Sequence, residues 1–297
     1  MYLTTSILFY IMKGRMRYTI KQFNEEYPND DVCLDTVFEN RYGDVKDCPK
    51  CGVVDTKFYR VRGRKCYACM HCGYQLHPLA QTIFHKSETP LTSWFYAIYL
   101  FSVSKNGVSA KELERHLGVT YKTAHRMAKQ IRKLMSGDDD KLTGIVEADE
   151  TYYGGRRKGD GRGPRAKTPI LGAVERKGFM KAEVRDYATK ATTMSFLRSS
   201  LAFDSELHTD ESGLYKWVKK EFVHKAINHS EGEYSRGYVT TNTIEGFWSQ
   251  LKRSIDGTYH CVSPKYLQSY VNEFVFRYNY RDVIVYPVLL KQASKPF

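Results

Sequence analysis

Gly144-Ile-Val-Glu-Ala-Asp-Glu-Thr-Tyr-Tyr-Gly-Gly155 is the stretch whose reading decides the fold. Its apolar start reads as a strand. Alternate side chains of a strand share a face, so Glu147 and Asp149 point one way and Ala148 and Glu150 the other. Asp149 lies at the strand's end, where a site would open. Two later segments carry acids in comparable settings. In Leu207-His-Thr-Asp-Glu211, Asp210 follows a short apolar strand. In Thr241-Asn-Thr-Ile-Glu-Gly-Phe-Trp248, Glu245 sits on a helix opened by the capping sequence Thr241-Asn242-Thr243. Thirty-four residues separate Asp210 from Glu245, enough for a helix, a strand and a turn. Three carboxylates gathered from distant positions suit a pair of hard divalent cations about 3.5–4 Å apart, which clamp the attacking and leaving oxygens of a phosphodiester. Glu147 and Glu211 are rival ligands. Each acid alone has a plainer reading as a turn, cap or solvent-facing residue.

Around these segments, residues 144–149, 169–176, 181–187 and 206–209 read as strands, and 192–202, 212–221 and 243–254 as helices. Three strands, a helix, a strand and a helix make an α/β layout with an antiparallel start, which fits an RNase-H-like fold with acids collected at one end of the central strands. Residues 265–280 place Leu267, Tyr270, Val271, Phe274 and Tyr278 on one helical face. The glycine-rich stretch 154–167 reads as a long mobile hairpin whose Arg156, Arg157, Lys158, Arg162, Arg165 and Lys167 would neutralise phosphates and make binding steeply salt-dependent.

Upstream, Ser136-Gly-Asp-Asp-Asp140 reads as a linker. Residues 90–135 are helical in pattern, broken at Lys105-Asn-Gly107 and at Gly118. The two short helices flanking Gly118 suggest a helix-turn-helix with Leu113, Leu117, Val119, Ala124 and Met127 inside. The second helix would present Thr120, Tyr121, Lys122, His125, Arg126 and Lys129 to a DNA groove. The plainer alternative is a helical hairpin with a solvated basic face. Residues 17–46 read as one or two short helices.

Cys48-Pro-Lys-Cys51 and Cys69-Met-His-Cys72 are two Cys-x2-Cys pairs separated by seventeen residues, each followed by a glycine, Gly52 or Gly73. Four thiolates in tetrahedral reach suit a structural Zn²⁺, which leaves no open position for catalysis. Cys66 makes a competing pair with Cys69, and His71 is a competing ligand. The Gly-containing knuckle favours Cys69 and Cys72, leaving Cys66 a spare thiol. Cys33 and Cys261 stand apart and read as buried apolar side chains.

Composition agrees with a polyanionic partner. The chain has 297 residues, ordinary hydrophobic content at 42%, and a net charge of +13. A surplus of that size repels itself unless something such as nucleic acid, or less directly an acidic membrane surface, offsets it. Most of the 23 tyrosines fall at helical spacing with Phe and Leu and read as core. The one membrane-like run, Ile7-Leu-Phe-Tyr-Ile-Met12, is far short of the ~20 apolar residues of a spanning helix, and nothing around it resembles a signal peptide. Met12 and Met16 are nearby alternative starts, so residues 1–15 read as an over-extended start, and the expected location is cytoplasmic.

Taken together, these segments resemble bacterial insertion-sequence transposases of the DDE type with an N-terminal zinc ribbon, of the ISXO2-like kind. The matching stretches are Cys48-Pro-Lys-Cys-Gly52, Cys69-Met-His-Cys-Gly73, Thr82-Ile-Phe-His-Lys86, Val119-Thr-Tyr-Lys-Thr-Ala124 and Val146-Glu-Ala-Asp-Glu-Thr-Tyr152. Gly154-Gly155, Ala173-Val-Glu-Arg176, Asn242-Thr-Ile-Glu-Gly-Phe-Trp248 and Phe274-Val-Phe-Arg-Tyr-Asn279 complete the set, which spans the chain from about residue 20 onward. One departure is Gln81, where relatives tend to have Gly. The resemblance implies a multi-domain α/β protein: an N-terminal helical segment (1–46), a zinc ribbon (47–85), a helical DNA-binding region (86–135), a linker (136–143) and an RNase-H-like catalytic domain (144–297). It places the catalytic acids on Asp149, Asp210 and Glu245, with Asn242 a candidate to share the third role. It further implies Mg²⁺ or Mn²⁺ dependence, and action on the element's terminal inverted repeats and on target DNA. A dimer or higher assembly on DNA and association with the nucleoid follow from the same likeness. The rivals are a non-catalytic DNA-binding regulator and a structure-specific nuclease on the same fold.

Overall fold

The computed structural model describes residues 18–137, 140–154, 167–228 and 236–296. The expected over-extended start and the hairpin cations Arg156, Arg157, Lys158, Arg162 and Arg165 lie outside the described residues. The chain divides into two compact units, residues 1–134 with 282–297, and residues 135–281.

The first unit opens with α1 (Ile20–Glu26) and α2 (Asp30–Tyr42). Thr19 and Gln22 form a reciprocal capping box on α1, and Asn29 caps α2 by accepting from the Val32 N–H at 3.0 Å. Asp30, in the first turn of α2, accepts from both the backbone N–H and the hydroxyl of Thr92 at 2.9 Å. A small antiparallel sheet follows, of β1 (Phe58–Arg60), β2 (Tyr67–Cys69) and β3 (Gln75–Leu76), in that order. The apolar helix α3 (Leu91–Val103) buries Trp94, Phe95, Ile98 and Phe101. Two shorter helices, α4 (Ala110–Leu117) and α5 (Tyr121–Leu134), meet at Gly118. The φ of +63° at Gly118 is a left-handed end to α4 that a β-carbon would strain. Leu113, Ala124 and Met127 are fully buried, as the two-helix reading requires, while Leu117 and Val119 are half-buried.

The second unit is built on a five-stranded mixed sheet. Its strands are β4 (Ile145–Tyr153), β5 (Thr168–Glu175), β6 (Met180–Val184), β7 (Glu206–Asp210) and β8 (Val223–Ile227), in the spatial order β6-β5-β4-β7-β8. The β4, β5 and β6 strands pair antiparallel, whereas β4–β7 and β7–β8 pair parallel. This is the α/β arrangement with an antiparallel start that the sequence predicts. Because strand side chains alternate, each face grows its own core. On one face Val146, Ala148, Leu171 and Leu207 pack with Met194 and Leu197 of α6 (Lys190–Ser200). On the other, Ile170 and Val174 pack with Ile244 and Trp248 of α7 (Asn242–Ser254) and with Leu267 and Phe274 of α8 (Pro264–Asn279).

Three features differ from the sequence reading. Residues 212–221 form two 3-10 turns, Gly213–Tyr215 and Val218–Lys220, where a helix is expected. Asp210 Oδ1 accepts from the Ser212 N–H at 3.0 Å, the Ser212 hydroxyl caps Leu214, and Tyr215 and Val218 are buried three residues apart, the repeat of the tighter turn. The strand β8 has no range in the expected layout, although the interval between Asp210 and Glu245 leaves room for one strand. Finally, α9 (Val285–Ala293) groups with the first unit, where the sequence reading carried the catalytic domain on to residue 297. Its Tyr286 stacks on Tyr18 at 4.7 Å between ring centres and meets Phe23, Tyr27 and Tyr99 edge-on, which accounts for several of the tyrosines as core.

Candidate active site and zinc site

Asp149 lies midway along the central strand β4, not at its end as the sequence reading has it, because antiparallel pairing with β5 carries the strand on to Tyr153. Asp210 is the last residue of the parallel neighbour β7, and Glu245 lies in the first turn of α7. Asp149 points to the α7 side, where its Oδ2 accepts from the Trp248 indole N–H at 3.1 Å. Glu245 accepts from the Thr241 hydroxyl at 2.6 Å. Burial first, and then the charges of Glu150, Asp210 and Glu245, push the Asp149 carboxyl up to about 7. The three acids named from the sequence thus share one electrostatic neighbourhood. Glu150, on the opposite face of β4 as alternation requires, accepts from the Tyr215 hydroxyl at 2.9 Å and is raised by burial and by Asp210.

The rival ligands separate clearly. Glu211 is exposed. Glu147 is fully buried with its oxygens already engaged: Arg176 at 3.0 Å, the Thr243 N–H at 2.8 Å, the Thr243 hydroxyl at 3.0 Å and the Ile244 N–H at 3.3 Å. It caps α7 from a neighbouring strand. The Thr241 hydroxyl, expected as that cap, makes no capping bond because it is turned onto Glu245. Asn242 is exposed at the first position of α7, and its backbone N–H bonds the Thr240 hydroxyl at 3.1 Å. Arg176 also donates to the Tyr238 carbonyl at 2.7 Å and lies 3.5 Å from Nδ1 of the buried His208, whose Nε2 is 2.7 Å from Glu206.

Sequence reasoning also missed Gly172, which pairs with Asp149 across the β4–β5 register. A β-carbon there would come within 2.5 Å of the Trp248 ring. The bare backbone therefore lets the indole lie against the sheet and reach Asp149. Gly172→Ala is expected to lower stability by about 1–3 kcal/mol in urea unfolding through overpacking. A loss under about 0.5 kcal/mol would show that the ring yields without cost. The far end of β4 opens on a cavity of ≈ 470 Å³ lined by Tyr152, Thr168, Lys252, Asp256 and His260 among others.

In the first unit, Cys48, Cys51, Cys69 and Cys72 bring their sulfurs within 4.8 Å of one another, the one such metal-binding group among the described residues. Gly52 and Gly73 take φ of +68°, and their N–H groups close each knuckle onto the Cys48 and Cys69 carbonyls at 2.9 and 3.0 Å. The Thr56 hydroxyl, 3.5 Å from Cys69 Sγ, leads the effects that pull that thiol down, and the His71 backbone N–H also points at it. The donor set fits a tetrahedral structural zinc ion. Cys66 sits apart, bonded to Gln75, and His71 offers its backbone to the cluster. Cys33 is buried as expected, whereas Cys261 is exposed.

The comparisons with known proteins span both regions. Residues 141–279 match an ISXO2-like transposase domain, and residues 28–75 match a transposase zinc-ribbon domain. The chain thus carries an ISXO2-like transposase domain and a transposase zinc-ribbon domain. A protein described as an uncharacterised protein in transposable element ISH50 of Halobacterium salinarum is 28% identical over 255 residues, 77% of this chain and 84% of its own length. The ISXO2-like match contains Asp149, Asp210 and Glu245, and the ribbon match contains all four clustered cysteines together with α2. On α5 the chain presents Tyr121, Lys122, His125, Arg126 and Lys129 at its exposed face, and Lys167 is exposed just before β5. Lys111 lies over the Tyr121 ring at 5.0 Å. No helix among the described residues is long and apolar enough to cross a membrane.

Proposed function

We propose that this transposase cuts the ends of its insertion sequence and joins them to target DNA in one active site, with Asp149, Asp210 and Glu245 holding two Mg²⁺ or Mn²⁺ ions. The observation that carries this reading is the Asp149 carboxyl, half-buried on the central strand and raised first by that burial and then by the charges of Glu150, Asp210 and Glu245. Carboxylates crowded at their own expense await a cation. When bound, the ions supply the positive charge that activates an attacking water or 3′-hydroxyl and offsets charge on the reacting phosphate. The chain's own residues do the rest. Trp248 orients Asp149 and Thr241 orients Glu245. The exposed face of α5, with the zinc ribbon, binds the terminal inverted repeats, and Lys167 with its neighbouring cations holds phosphates near the site. Two ends must be brought together, so the working form is at least a dimer on DNA, acting in the cytoplasm at the nucleoid.

The test is a Mg²⁺-dependent cleavage and strand-transfer assay on DNA carrying the element's end, with Asp210→Asn as control. Wild-type protein is expected to cleave and join, with both steps lost in the variant by a factor of about 10³ or more. Cleavage without joining would favour a nuclease. Tight binding with no cleavage would leave a regulator.

A further inference from the structure

The segment leaving Asp210 carries a feature that the acids, the ribbon and α5 do not use. Trp217 is 47% exposed, whereas Trp94 and Trp248 are 0% and 4% exposed. Exposure alone is ordinary for a single aromatic side chain, and what sets Trp217 apart is its surroundings. Lys220 and Lys190 flank the indole, with their ammonium groups 4.5 and 5.2 Å from the ring centre. Lys216 and Lys219 are exposed beside it, while the nearby acid Glu221 is tied to Arg198 at 2.6 Å. The surround is therefore strongly cationic. The backbone beneath is held in place, because Tyr215 and Val218 on either side are buried and Trp217 directly precedes the turn Val218–Lys220. Tyr215 also bonds Glu150, the residue next to Asp149, so the indole sits two residues along the chain from a group at the acidic site.

We propose that Trp217, with Lys190 and Lys220, is a stacking platform for an unpaired base of a DNA strand, the lysines taking the flanking phosphates. An indole stacks on the face of a base, and in a duplex those faces are covered by neighbouring pairs, so the ligand is a base outside the helix. Exposed lysine–indole contacts are weak and their flexible stems let the ammonium groups swing onto phosphate as a base takes the ring. The inference rests on the DNA-processing reading of this unit and adds a specific contact to it.

The experiment uses the full chain without divalent metal, so that nothing is cut. Oligo-dT and a blunt duplex are titrated while tryptophan emission and labelled-DNA anisotropy are followed. Oligo-dT is expected to quench emission, which reports Trp217 because the other two indoles are buried. Trp217→Ala is expected to weaken oligo-dT binding about tenfold or more while leaving duplex affinity within about twofold. Trp217→Phe should lose the quench and keep most of the affinity, which guards against a folding defect. Oligo-dT bound by Trp217→Ala as tightly as by wild type, or bound by wild type without quenching, would overturn the platform alone. Failure of the wild type to bind either DNA would overturn the DNA reading together with it.

Discussion

Asp149→Asn is expected to abolish cleavage and joining and, in the same protein, to raise stability at pH 8 when no divalent metal is present. Activity is lost because an amide neither carries the charge nor offers the two anionic oxygens that a hard divalent cation requires. The gain in stability follows from proton linkage. The Asp149 carboxyl stands at about 7 in the fold against 3.8 in the open chain. Between those values the folded state holds a proton that the unfolded state has released, so this group's contribution turns unfavourable as pH rises from about 4 to about 7 and stays so above it. The displacement corresponds to roughly 4 kcal/mol at most. Asparagine removes that cost, whereas Mg²⁺ removes it in the wild type by neutralising the cluster. Urea midpoints for both proteins at pH 5 and pH 8, with and without Mg²⁺, check this. A wild type that is as stable relative to the variant at pH 8 as at pH 5 would mean that the acids are not crowded.

The second large effect is expected at Glu147. Alanine there leaves Arg176 without its carboxylate and the first N–H groups of α7 without their cap. Removing one partner of a buried ion pair costs about 3–5 kcal/mol. Loss of the cap adds to it, since the negative charge also sits favourably at a helix N-terminus. Glu147→Gln keeps the shape and one accepting oxygen, so it is expected to fold. Because that helix start carries Glu245, the amide variant is expected to need about tenfold more Mg²⁺ for half-maximal cleavage, the usual scale for a group that orients a metal ligand. A Mg²⁺ titration showing an unchanged midpoint would reduce Glu147 to a purely structural role.

These two residues also mark what was readable from the chain. Asp149 could be named because an apolar run leading into an acid has a short-range pattern, although the strand does not end there, and the alternation that put Glu147 and Asp149 on one face is a local rule. The cysteine pairs and the break at Gly118 are legible for the same reason. The task of Glu147 is not local: it depends on the start of a helix almost a hundred residues later, which no spacing announces. Gly172 and Trp248 likewise meet only because β5 and α7 fold onto each other. β8, Val223-His-Lys-Ala-Ile227 without alternation, and α9, whose Pro287 stands in the first turn where proline is tolerated, carry weak periodic signals. The 3-10 turns after Asp210 carry apolar residues at three-residue spacing that a helix shares.

The grouping of α9 with the helices of the first unit makes the sheet-bearing unit an insertion within another unit's sequence. The ribosome completes every strand of the sheet before it delivers Tyr286 to the aromatic cluster of Tyr18, Phe23 and Tyr99. During synthesis the acid-bearing half can thus reach its folded state while the helical half still lacks a wall of its core, so the order of maturation along the chain runs opposite to the order of its N-termini.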